Sequence, residues 1–105
     1  MLRRLSLSLL IALLAAAPAA ATPKPERQAY LRDLVKNECT RCHGYKRIGQ
    51  NGPPLRPEDL EYIDKDYLVR TIMNGRNTQM PAWKGMLSLD DVEYIAYVIL
   101  LEPAP

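Results

Sequence analysis

Five consecutive residues, Cys39-Thr40-Arg41-Cys42-His43, hold both cysteines and the only histidine of this 105-residue chain. Two thiols separated by two residues, with an imidazole directly after them, have three chemical uses: a redox-active disulfide, a share of a metal site, or covalent bonds to a cofactor. A thioredoxin-like thiol-disulfide oxidoreductase carries its Cys-x-x-Cys within an α/β pattern, and no strand-like alternation surrounds this one. A structural zinc site closes with four ligands, but no fourth cysteine or histidine is present. A plain disulfide would close too short a loop to stabilise much, and it leaves His43 without a task.

Covalent haem uses all three side chains. The thiols must add to two vinyl groups on one edge of a porphyrin, and one helical turn with two intervening residues sets the sulfurs at that separation. His43, adjacent to Cys42, then lies under the iron as proximal ligand.

Such a site needs a helix to carry the thiols and loops to close around the cofactor. After Glu26, Tyr30, Leu31, Leu34 and Val35 recur at helical spacing, which predicts a first helix running into Cys39. Gly44, Gly49, Gly52 and the Pro53-Pro54 pair mark a loop up to Pro57. There, Pro57-Glu58-Asp59 has the proline and acids of a short helix start. A further helix is expected from its N-cap Asp64 to Asn74, stopped by Gly75, with Leu68, Val69, Ile72 and Met73 on one face. Arg76 to Leu87 reads as non-helical. The last helix opens on Ser88-Leu89-Asp90-Asp91, a capping box with Asp in the usual Glu position, carries the stripe Val92, Ile95, Ala96 and Ile99, and ends before Pro103. Tyr67 and Tyr97 are expected to contact the core. The fold class is therefore all-α.

The compartment follows from the first 21 residues. Met1-Leu2-Arg3-Arg4 is a positive head, Leu5 to Ala17 is apolar, and Ala19-Ala20-Ala21 supplies an A-x-A cleavage site. This reads as a signal peptide over 1–21 and a single domain over 22–105, exported to the periplasm. The apolar run is short for a membrane span of about 20 residues, so no membrane anchor is expected after cleavage. Two of the 14 basic residues, Arg3 and Arg4, belong to the leader; the domain is then balanced against its 12 acidic residues. That balance removes the main electrostatic argument for nucleic-acid binding. A domain this small gains little stability from its own core, and phenylalanine is absent, so something other than side chains is expected to fill the middle.

With these residues assembled, the chain resembles the class I c-type cytochromes over nearly all of the domain. Cys39-Thr40-Arg41-Cys42-His43 matches the haem attachment motif, Gly52-Pro53-Pro54-Leu55 the Gly-Pro-x-Leu loop, Met80-Pro81 the distal segment, and Ala96-Tyr97 part of the closing helix. The run from Gly75-Arg76 through Met80-Pro81-Ala82-Trp83 is similar, more narrowly, to cytochrome c-55X of denitrifying bacteria. The resemblance implies a small cytochrome c fold of three to four helices, with long loops wrapped around one covalent haem c. It also implies that the Pro53 carbonyl accepts the Nδ1 hydrogen of His43, which fixes the ring and leaves Nε2 for iron.

For the sixth ligand only methionines are available. Met73 lies on the apolar stripe of a helix and Met86 in a loop without family support. Met80, which Pro81 holds out of helical geometry, is favoured by both resemblance and local physics. Trp83 either donates to a haem propionate or only packs on the porphyrin. Arg76, with Asn77 and Gln79, either hydrogen-bonds near the propionates or the Met80 sulfur, or is solvated.

The expected function is one-electron exchange by a periplasmic, monomeric carrier, not an enzyme. Its partners would be other periplasmic redox proteins, including nitrite reductase, besides the cytochrome c maturation machinery. A second reading, implied by the same resemblance, is an assembly factor for the specialised haem of nitrite reductase; the thiol-disulfide oxidoreductase is a third. Basic residues dominate from Thr22 to Arg56 and acidic ones from Pro57 onward. Arg41, Lys46, Arg47 and Lys84 are candidates for a basic ring around the haem edge that steers an acidic partner.

Overall fold

The computed structural model describes residues 22–105; the signal peptide expected over 1–21 lies outside them. Helix α1, Pro25–Leu34, starts with proline at its first turn and Glu26 beside the positive helix end. It continues without a break through a π-helical stretch, Val35–Cys39, into α2, Thr40–His43. A 3₁₀ turn at Tyr45–Arg47 and another at Pro57–Asp59 lie in the following loop. Helix α3 spans Lys65–Asn74 and α4 spans Leu89–Leu101. No strand is present among the described residues; a single antiparallel bridge joins Arg76 to Met80. None of the described helices is long and apolar enough to cross a membrane.

The capping signals act where the sequence places them. The Asp64 side chain accepts from the Tyr67 amide, Gly75 ends α3 with φ of 72°, and Ser88 and Asp91 exchange both hydrogen bonds of a capping box. Helix α4 is the centre of the molecule: Val92, Ile95, Ala96 and Ile99 are at most 2 % exposed. Leu68, Val69 and Ile72 of α3, and Leu31 and Leu34 of α1, belong to the same apolar cluster, together with the loop residues Leu55, Leu60 and Leu87.

Two bidentate ion pairs tie the first helix to the last. Arg27 donates to both Asp91 oxygens at 3.1 and 2.8 Å, and Arg32 to both Glu102 oxygens at 3.0 and 2.6 Å. Asp91 thus serves two elements at once, the α4 cap and the α1 clamp.

Three expectations are corrected. Tyr67 and Tyr97 are 42 % and 46 % exposed, while Tyr94, one turn earlier on α4, is buried and stacks on Tyr97 with ring centroids 5.9 Å apart. Helix α4 is apolar over most of its circumference, so periodicity could not settle which tyrosine faces inward. Arg47, expected on the surface, is 1 % exposed. Arg41, Lys46 and Lys84 are exposed.

Hydrogen bonds from Arg27 and Arg32 hold the Asp91 and Glu102 carboxyls below their ordinary values. Their stabilisation is therefore complete above an unfolded-state pKa of about 4 and is lost as the pH falls through the lower folded values. Asp91→Asn should leave a melting temperature that falls less steeply than wild type between about pH 5 and pH 2, followed by circular dichroism. Parallel slopes would show that the Arg27–Asp91 clamp does not bear on stability.

Candidate haem site

The two cysteines lie at the end of a helix whose winding widens from Val35 to Cys39 and tightens again by Cys42. In the π stretch the turn is wider, a feature common at functional sites, and it delivers Cys39 half-buried and Cys42 exposed. Both are free thiols. Burial pushes the Cys39 thiol up to about 11, against the opposing pull of the Arg47 charge. A catalytic dithiol needs the reverse, a lowered pKa that makes thiolate available, so Cys39 is poorly set for disulfide exchange.

Beyond His43 the chain folds back on the helix end. Gly49 N–H donates to the His43 carbonyl and Gly52 N–H to the Cys42 carbonyl, each at 2.7 Å, which satisfies acceptors that a helix terminus leaves open. The same return brings the Pro53 carbonyl 2.7 Å from His43 Nδ1. A carbonyl only accepts, so the ring proton sits on Nδ1 and the Nε2 lone pair is free. Gly52 makes this approach possible: a Cβ there would stand 2.7 Å from Nδ1 and 2.8 Å from Cε1 of the ring.

Met80 is presented by a tight hairpin. Arg76 N–H donates to the Met80 carbonyl at 3.0 Å and Met80 N–H to the Arg76 carbonyl at 3.1 Å, with Asn77 and Thr78 in left-handed backbone between them. Gly75 again leaves room for close backbone, since its Cβ would lie 2.8 Å from the Ala82 nitrogen. Trp83 N–H and Lys84 N–H then donate to the Ile72 and Met73 carbonyls and strap the segment across the end of α3.

Cys39, Ile63, Met73, Met80, Trp83 and Leu100 are each half-buried and packed against the core. Met86 is 64 % exposed. Arg76 is exposed and reaches the Tyr67 hydroxyl at 3.4 Å, a long contact, so it is not simply solvated. Two free thiols, an imidazole with Nε2 unengaged, a thioether and an apolar margin fit haem c.

Sequence reasoning missed two contributors, the π stretch and the inward Arg47. Neither has a local sequence signature.

A family model for cytochrome c oxidase, cbb3-type, subunit III matches residues 26–98, and the Cys-x-x-Cys-His helix end lies within that match. The chain belongs to the c-type cytochromes. Members of this family bind haem c covalently, so haem c is the cofactor. Cytochrome c55X of Pseudomonas aeruginosa is 43% identical over 74 residues, 70% of this chain and 62% of that protein. Cytochrome c55X of Paracoccus denitrificans is 38% identical over 95 residues, 90% of this chain and 92% of that protein. The chain thus spans less than two thirds of the first relative and nearly all of the second. Among solved structures, the c-type cytochrome NirC superposes with a TM-score of 0.75 at 40% identity, covering 79% of this chain and 100% of NirC. Dihydro-heme d1 dehydrogenase NirN in complex with DHE gives 0.62 at 30% identity, over 70% of this chain and 16% of NirN.

Gly52→Ala should push the His43 ring off the Pro53 carbonyl and cost about 1–3 kcal/mol, the scale of overpacking a filled site. Denaturant melts and haem content of the purified cytochrome measure this. Gly85→Ala is the control, because nothing lies within 4 Å of a Cβ there. Equal stability and haem content in the two variants would contradict the cradle described for the imidazole.

Proposed function

We propose that this cytochrome is a periplasmic one-electron carrier in nitrite-reducing respiration, with His43 and Met80 on the two faces of the iron and Cys39 and Cys42 as the thioether attachments. The observation that carries the reading is the His43–Pro53 hydrogen bond, which leaves Nε2 as the one unengaged nitrogen beside two free thiols. Haem supplies reversible exchange between ferric and ferrous iron. The chain's own groups set its conditions. Pro53 holds the imidazole and its tautomer, while Met80 offers a soft thioether, which favours the reduced state over harder ligands. Trp83, half-buried against the core, would pack on the haem, and Arg76, at the start of the Met80 hairpin, would serve to hydrogen-bond a propionate. The reading assigns no catalytic acid, base or nucleophile. Weak, rapidly released contacts suffice for such a carrier, and the likeness to cytochromes c55X and to NirC supports nitrite reductase as its setting.

A second reading is supported by the likeness to dihydro-heme d1 dehydrogenases: the same redox chemistry would serve maturation of a specialised haem and not respiration itself. Deleting the gene distinguishes the two. Reductase protein that accumulates without its specialised haem points to maturation; fully loaded reductase with slowed electron supply points to the carrier.

The ligand assignment has a spectroscopic test. Ferric wild type should show the weak charge-transfer absorption of a thioether–iron bond near the red end of the spectrum. Met80→Ala should abolish it and lower the potential, with Met73→Ala and Met86→Ala retaining it. A band that survives Met80→Ala and vanishes in Met86→Ala would assign the ligand to the wrong loop.

A further inference from the structure

Arg47 is the one buried cation among the described residues, and nothing in the ligand set accounts for it. Its side chain is 1 % exposed. One terminal nitrogen donates to the Leu55 and Ile99 carbonyls at 3.1 and 3.2 Å, and the other to the Glu102 carbonyl at 2.7 Å. The guanidinium therefore joins the loop that holds Pro53 to the C-terminal end of α4, where a positive charge meets the negative end of the helix. No carboxylate among the described residues pairs with it, and its Nε is buried without any partner.

Burying an unpaired cation is costly, and the backbone adds to that cost. Lys46 and Arg47 both take left-handed φ, 51° and 60°, a conformation that side-chain-bearing residues rarely adopt. The strained pair turns Arg47 inward while Lys46 stays exposed. A strut for three carbonyls could be built from neutral donors. A charge adds something else: Arg47 N–H donates to the Gly44 carbonyl and Leu55 N–H to the Arg47 carbonyl, each at 2.9 Å, so Arg47 is built into the loop that closes on His43, and its charge acts on Cys39, where the haem edge is anchored in the proposed site.

We infer that Arg47 is a positioning residue whose fixed, buried positive charge beside the Cys39 attachment raises the haem potential by disfavouring the extra charge of ferric iron. The guanidinium is held by carbonyls; the Glu102 and Glu58 charges act on it from beyond hydrogen-bond distance, and the Glu102 carboxylate is itself clamped by Arg32. Low-dielectric surroundings keep that field from being screened. The inference rests on the one-electron reading of the site but is independent of which partner receives the electron.

The test is the midpoint potential of the exported holoprotein by spectroelectrochemistry, with melting temperature measured alongside. Arg47→Gln keeps amide donors and removes the charge, Arg47→Met removes both, and Arg47→Lys keeps the charge on a shorter reach. Both neutral variants should favour ferric iron by about tenfold, a fall of about 59 mV for one electron. Arg47→Lys should stay near the wild-type potential even though it, too, melts earlier. Lower melting temperatures with unchanged potentials in Arg47→Gln or Arg47→Met would overturn the inference. So would failure of both neutral variants to accumulate as folded holoprotein while Arg47→Lys does, since Arg47 would then be a strut for the fold. Wild type without a reversible one-electron couple would instead end the carrier reading, so the two failures are distinguishable.

Discussion

The hydrogen bond between His43 Nδ1 and the Pro53 carbonyl is the contact on which the site depends. It requires the chain to leave the helix at His43, reverse within a few residues, and return with a carbonyl 2.7 Å from Nδ1. Gly52 must be glycine for that return to come so close. The amides of Gly49 and Gly52 meanwhile close the helix end that carries the cysteines. A single local arrangement therefore terminates the helix, orients the imidazole and decides which nitrogen faces the cofactor.

Around this point the domain is built on limited apolar material. There is no phenylalanine and one tryptophan, and α4 supplies the most deeply buried side chains. Clamps from Arg27 and Arg32 fix α1 to that helix, while Arg47 fixes the loop after the haem motif to the helix's last carbonyls. Cys39, Ile63, Met73, Met80, Trp83 and Leu100 remain half-covered at the edge of that core. A large apolar ring is the component that such a small core lacks.

Features whose donors and acceptors lie three or four residues apart were legible in the sequence. The Ser88–Asp91 capping box, the Asp64 cap, the Gly75 stop and the helix carrying Cys-x-x-Cys-His all belong here, because helix geometry itself brings these groups together. Resemblance added the Pro53 carbonyl, whose partner lies ten residues earlier. Features that depend on distant partners were not legible. Arg47 sits in a run of basic residues that looks solvated, and its acceptors Ile99 and Glu102 lie 52 and 55 positions away. The π stretch has no composition of its own, and the facing of Tyr94 against Tyr97 is set by packing on a helix that is apolar nearly all round.

The central claim is that Cys39, Cys42 and His43 hold one haem through two thioether bonds, with the porphyrin completing the core. The most direct measurement is the absorption spectrum of the exported protein unfolded in alkaline pyridine, read together with its intact mass. The account predicts the reduced band of a haem with both vinyl groups saturated, one haem per chain, and loss of all covalently held haem in the Cys39→Ala, Cys42→Ala double variant. A spectrum of unmodified haem that extracts into acidic organic solvent, or a mass equal to the polypeptide alone, would contradict it.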